Sequence, residues 1–203
     1  MLTFDHIALA AETLEAGVAH VEAALGVPLA GGGQHPLMAT HNRLLGLGDL
    51  YFEVIAIDPA APAPAFPRWF DLDRFTGRPR LTNWICRTDD LEAALAACPP
   101  GTGMPVALAR GDLRWRMAVP ETGILPFTNA FPALIEWQGS LHPVQRLPDS
   151  GLRLRRFEIA SPDAPALTAA LAPLINDPRI VIVPGEPAMR ASFDTPSGLR
   201  VLE

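Results

Sequence analysis

Lysine is missing from this chain: all 16 basic residues among its 203 are arginine. That absence excludes Schiff-base chemistry, an internal pyridoxal attachment and a P-loop lysine. Cysteine is nearly absent, with only Cys86 and Cys98, so neither a disulfide framework nor a C-x-x-C redox or zinc motif exists. Cys86 sits between Ile85 and Arg87 in an apolar run and reads as a packed thiol. No segment approaches the apolar length a membrane helix needs. The opening residues, MLTFDHIAL, lack the basic start and long apolar stretch of a signal peptide. A cytoplasmic protein is the expectation. Positive charge is also scarce, and a net charge of −6 with a pI near 5.3 argues against a nucleic-acid partner. The 49% apolar and 19% charged composition is that of a chain able to bury a core.

What is present is a repeat. FDHIALAAETLEAG near the start and LTNWICRTDDLEAA later align with His6 on Asn83, Ala11 on Thr88, Leu14 on Leu91 and Glu15-Ala16 on Glu92-Ala93. Each copy continues to an apolar strand carrying one acid, Glu53 in YFEVIAID and Glu136 in ALIEWQ. The first copy reads as a strand from Leu2 to Ala10, then a helix with Leu14, Val18, Val21 and Leu25 on one face, opened by Glu12 or Thr13 and closed by Gly26. GGGQHP reads as a flexible loop, and HNRLLGLG and LYFEVIAID as hairpin strands. The second copy repeats the plan from LTNWICRT to ALIEWQ. A weaker third follows, with LRRFEIAS as strand, DAPALTAAL as helix, then RIVIVPG, MRASFDT and SGLRVLE. Arg156 stands there in the place of His6 and Asn83.

These units set the expected organisation: a paired βαβββ region over 1–145, with modules near 1–58 and 81–140, and a third module over 146–203. The fold class is α+β. The proline-rich connector over 59–80 carries Phe66, Trp69, Phe70 and Phe75 and is read two ways, as a cover over a pocket or as a packed crossing between repeats. An unpaired third module would expose a sheet, so it is expected to pack on the first two or on its mate in a homodimer.

Strand alternation places His6 with Ala8 and Ala10 on a concave face, and Ile7 and Leu9 beneath the helix. By the same rule Glu53 joins Tyr51 and Ile55, Asn83 joins Ile85 and Arg87, and Glu136 joins Leu134 and Gln138. Trp84 and Trp137 are expected on the convex side. A carboxylate among apolar residues needs a partner, here His6, an arginine or a divalent cation. His41 reads either as a substitute ligand or general base, or as a loop-edge residue bonded to backbone. Arg87 could grip a ligand carboxylate or phosphate, or neutralise Glu53 or Glu136. Trp69 is the aromatic expected to touch a ligand. His20 is expected on a helix surface, and His35 and His142, each before proline, are expected to shape turns.

The D-H-I of the first strand, the Y-x-E-V of the fourth, and the stretches HPLMATHN, GDLYFEVIAIDP, RWF and EWQ…HP resemble the glyoxalase-like domain proteins of the vicinal oxygen chelate superfamily. The resemblance covers roughly residues 2 to 145 and implies two modules closing into a half-barrel around one divalent metal. Carried over by position, the ligand places are His6, Glu53, Asn83 and Glu136. Asn83 departs from the histidine or glutamine of a typical glyoxalase I, and asparagine is a weak oxygen donor for zinc or nickel. His6, Glu53 and Glu136 would still form a three-ligand open site for Zn, Ni, Mn or Fe. Two functions stay open. One is a lyase or isomerase acting on a small oxygenated metabolite, with Glu136 or His41 moving the proton. The other is a metal-free small-molecule binder without catalysis, in which Arg87 pairs the acids.

Overall fold

A computed structural model describes residues 1–203. The first copy forms β1 (Thr3–Ala10), α1 (Leu14–Leu25), β2 (Ala30–His35), β3 (Thr40–Gly46) and β4 (Tyr51–Ile57). The second forms β5 (Arg80–Arg87), α2 (Leu91–Ala96), β6 (Met104–Arg110), β7 (Leu113–Val119) and β8 (Ala133–Trp137). All eight strands join one sheet in the order β2-β3-β4-β1-β5-β8-β7-β6, whose two halves mirror each other. The first strand of each copy lies parallel to its last, and the copies meet along the antiparallel pair of β1 and β5. The sheet curls into the expected half-barrel. Its ends approach where Arg110 of β6 passes Gly33 of β2, a place where a Cβ on Gly33 would stand 2.7 Å from the Arg110 Cδ.

Local sequence explains the helices. The Thr13 hydroxyl accepts the Ala16 N–H at the start of α1, and Gly26 closes it in the left-handed region at φ 75°. The buried stripe is Leu14, Gly17, Val21 and Leu25. Val18 packs half-buried on the same core, and Gly17 joins the stripe because α1 presses on β4: a Cβ there would stand 2.5 Å from Val54 Cγ1. GGGQH is an edge strand and not a free loop, since pairing with β3 satisfies its backbone.

The remaining chain forms β9 (Arg153–Ser161), α3 (Ala164–Leu171), β10 (Ile180–Pro184), β11 (Ala188–Thr195) and β12 (Gly198–Leu202). It keeps the strand–helix–three-strand order and pairs it differently, as a four-stranded sheet β10-β9-β11-β12. Here the first strand lies parallel to the strand that follows the helix. Phe157 and Phe193 from this unit share one core with Phe4, Phe52 and Trp84 on the convex side of the large sheet. The third unit therefore covers the first two, which removes the exposed apolar face that otherwise calls for a mate. No helix is long and apolar enough to cross a membrane.

Candidate functional site

A second core fills the concave side, where Ala8, Ala10, Ile55, Ile85, Ala133 and Ile135 face Trp69 and Phe70. Between them lies a cavity with a free volume of about 30 Å³, lined among others by His6, His35, Asn42, Tyr51, Glu53, Trp69, Arg110 and Trp137. A space of that size holds about one water molecule.

His6 stands at its floor. Its Nδ1 lies 2.7 Å from Asp5 Oδ1, and its Nε2 lies 3.6 Å from Glu53 Oε2 and 3.5 Å from the Tyr51 hydroxyl. The Tyr51 ring stacks on the imidazole at 4.2 Å. Asp5 reaches this side through an irregularity in the β1–β5 register between Phe4 and His6, which breaks strict alternation. Its second oxygen receives His142 Nε2 at 2.9 Å, Trp137 Nε1 at 3.2 Å and Arg87 Nη1 at 3.5 Å. Because His142 Nδ1 accepts the Val144 N–H, the His142 proton sits on Nε2 and is donated to Asp5. On the other flank, Asn42 donates Nδ2 to Glu53 Oε1 at 2.6 Å and accepts Arg110 Nη1 on Oδ1 at 3.0 Å.

These contacts set the charges. Burial alone would raise the Glu53 carboxyl, but the His6 imidazole and Asn42 hold it down at about 2. Burial would likewise raise Asp5, yet His142 and His6 keep it well below the carboxylate range. Desolvation would lower the His6 pKa, and the two flanking carboxylates outweigh it and raise it above its ordinary 6.5. His35 goes the other way, to about 4, because burial dominates. At pH 6 the centre is thus an imidazolium held between two carboxylates, beside a neutral His35.

A pH dependence of stability follows. His6 contributes stability present below pH 6.5 and lost as pH rises through its raised folded pKa. Asp5 and Glu53 contribute stability present above their unfolded values and lost as pH falls, for Glu53 through about 2. His35, depressed to about 4, adds stability that is lost as pH falls from 6.5 towards 4, so urea midpoints should peak near pH 6.5 and decline on both sides. Replacing Asp5 with Asn should flatten the alkaline arm, and a midpoint that rises from pH 7 to 8.5 contradicts this charge assignment.

The structure brings together His6, Glu53 and Trp69 from the residues singled out in the sequence, and Trp69 lies over the cavity as a cover. It does not bring Glu136. Ala133 pairs with Ile85 and Ile135 with Arg87, so Ala133, Ile135 and Trp137 take the concave face and Glu136 turns to the helix side. There Arg116 Nε donates to Glu136 at 2.5 Å and its guanidinium also grips Glu92 of α2. Trp137, expected on the convex side, is corrected by the same registration. His41 alternates with the cavity-lining Asn42 and Leu44 and so lies on the opposite face of β3. Arg87 pairs with Asp5, and not with Glu53 or Glu136. His35 and His142 do more than shape turns: one lines the cavity, the other anchors Asp5. Asp5, Asn42 and Arg110 were not foreseen, since only the bulge and the curl of the sheet assemble them.

The resemblance implies a divalent metal, and the donor set tests it. His6 and Glu53 approach as two ligands of one ion would, and an Asp5-held imidazole suits a ligand histidine. The other half does not complement them. The relation that carries the pair His6–Ile85 onto Asn83–Ala8 carries Ala8–Glu53 onto Ile85–Ala133. The counterpart of Glu53 is therefore Ala133, which has no donor. No three His, Cys, Asp or Glu side chains group as a metal centre. The residues do not fit a three-ligand metal.

The comparisons agree with the fold. The model of the glyoxalase-like domain family matches residues 4–175. A hypothetical protein from Staphylococcus aureus superposes with a TM-score of 0.60 at 13% identity, covering 97% of this chain and 82% of that one. Methylmalonyl-CoA epimerase from Mycobacterium tuberculosis gives 0.44 at 17% identity, covering 68% and 89%. The Streptomyces coelicolor epimerase Q60A in complex with 2-nitronate-propionyl-CoA gives 0.43 at 15%, covering 70% and 100%. No curated protein matches the chain. With the mirrored eight-stranded half-barrel and a family model that spans most of its length, the chain belongs to the glyoxalase-like domain family.

Proposed function

We propose that the concave cavity takes a small oxygenated metabolite and that His6 and Glu53 move a proton on it, chemistry of the isomerase or lyase type without a metal. The observation that carries this reading is the buried line Asp5–His6–Glu53, in which His6 and Glu53 face each other and both line the cavity.

Its chemistry follows from the charges. Glu53 accepts the proton from a carbon next to a carbonyl, and the C–H electron pair enters a new C=C bond. His6 Nε2 gives its proton to the carbonyl oxygen, so a neutral enediol forms beside a neutral glutamic acid and a neutral imidazole. His6 keeps its Nδ1 proton and donates it to Asp5, which holds the ring. Glu53 is a weak base while His6 is charged, but the transfer removes that charge and the carboxyl pKa recovers as the proton arrives. Return of the Glu53 proton to the same carbon exchanges its hydrogen. Delivery to the former carbonyl carbon, while the second hydroxyl passes its proton to the neutral His6 Nε2 and becomes the carbonyl, isomerises the substrate. Binding without chemistry, the second reading, has no specific observation in its favour.

The test uses hydroxyacetone, glycolaldehyde and dihydroxyacetone in deuterated buffer, followed by proton NMR. The protein, dialysed against chelator, should speed loss of the α C–H signal of at least one of them over buffer. No acceleration with any of the three removes the proton-transfer reading. Activity that appears only after adding Mn, Ni, Zn or Fe removes its metal-free form.

A further inference from the structure

Asn83 is fully buried, and neither its Nδ2 nor its Oδ1 has a hydrogen-bond partner. A buried amide left unpaired loses its water contacts without replacement, so natural cores pair such groups or use them. Asn83 lies directly opposite Ala8 in the β1–β5 pair, and side chains directly opposite share a face. Ala8 belongs to the concave core, so Asn83 points to the His6 and Glu53 side. Glu53 is the neighbour of Ala8 on the other strand. Glu53, Ala8 and Asn83 thus form one row across three strands, with a methyl group between two polar ends roughly 9 to 10 Å apart along the backbone.

The connector packs on the concave core to which this row belongs. Trp69, Phe70 and Leu72 pack into the same concave core, and the Trp69 Nε1 is also buried without a partner. Phe70 and Asp71 hold left-handed backbone at φ 61° and 56°, a conformation that non-glycine residues adopt at a cost. The closed arrangement therefore leaves three side-chain polar atoms unpaired and a strained turn above them. The existing free volume of about 30 Å³ does not admit a metabolite, and Asn83 does not line it.

We propose that Asn83 and Trp69 form a second polar subsite, uncovered when the Trp69–Arg74 turn lifts. It takes the distal oxygen of a neutral two-oxygen ligand whose other oxygen lies between His6 and Glu53. The inference rests on the proton-transfer reading for that first oxygen and adds the residues that select the second. Asn83 offers one donor and one acceptor, and Trp69 one donor, which suits a hydroxyl or carbonyl. Asp5 and Glu53 face His6, with Arg87 on Asp5 and Arg110 held on Asn42, so each charge near the first oxygen already has a partner. The Asn83–Trp69 end offers only neutral groups, which suits a neutral distal oxygen better than a phosphate or carboxylate.

Hydroxyacetone and its one-oxygen analogue acetone are the probes, titrated into 15N-labelled protein. The Trp69 indole and Asn83 amide resonances are assigned by their loss in Trp69→Phe and Asn83→Leu. In the wild type both should shift with hydroxyacetone, which should bind at least 10-fold tighter than acetone. Asn83→Leu should erase that preference while the His6 ring signals still respond. Asn83→Leu should also hold or raise the melting temperature, by about 2 to 4 °C for each kcal/mol recovered. Shifts at His6 with silent Asn83 and Trp69 overturn the subsite and leave the first site standing. Silence at His6 as well overturns both. A lowered melting temperature of Asn83→Leu with unchanged preference shows a purely structural amide and also overturns the subsite.

Discussion

Asp5→Ala should cost the fold about 3 to 5 kcal/mol, the range seen when one member of a buried charged set is removed. Asp5 has no exposed surface and receives donors from four elements or loops: His6 on β1, Arg87 on β5, Trp137 on β8 and His142 after it. Its loss would leave the His6 imidazole facing only Glu53, with the Trp137 and His142 donors stranded in a low-dielectric interior and Arg87 left to solvent. At the size of this chain the melting temperature should fall by on the order of 10 °C. Asp5→Asn should cost less, because the amide preserves shape and one acceptor, and it should remove most of the support for a charged His6. Calorimetry on the three proteins at pH 6 reads this directly. A loss under about 1 kcal/mol for Asp5→Ala would mean that the four contacts are marginal, contrary to the charge network described.

Glu53→Gln should lower the α-proton exchange rate by roughly 10²- to 10⁴-fold, the usual worth of a positioned acid or base. Glutamine keeps an oxygen for the Asn42 donor that now lies at 2.6 Å, so the cavity wall is retained. What it lacks is a site for the proton. The loss should therefore fall on turnover more than on affinity for hydroxyacetone, the pattern of a group that acts in the transition state. Near-ultraviolet circular dichroism should be unchanged. A variant that retains exchange within about threefold removes Glu53 as the base.

Several parts of this site were legible in the residues alone. Alternation along β1 and β4 correctly grouped His6 with Ala8 and Glu53 with Tyr51, because both strands are regular where those residues lie. Trp69 was legible as an aromatic in a segment too apolar to lie free. Glu136 shows where such reading stops. ALIEWQ looks like the counterpart of YFEVIAID, yet the strand is placed so that Ala133 takes the structural place of Glu53. A period of two determines which residues share a face but not which face it is, and a shift of one residue exchanges them. Trp137 and Glu136 exchanged faces for that reason.

Asp5 marks the other limit. Strict alternation would send it under α1 with Ile7, and the register irregularity beside it turns it to His6 instead. Bulges arise from pairing between strands distant in sequence, so nothing in FDHIAL announces one. Arg110 and Asn42 meet only because the two ends of the sheet curl together. The repeat, the helices with their caps, and the lack of lysine and of a zinc motif are properties of local sequence, and the sequence by itself determined them. The choice of partners at the cavity depends on registration and curvature, which sum small contributions over eight strands. Only the tertiary structure decided that His6 answers to Asp5 and Glu53, and that Glu136 does not.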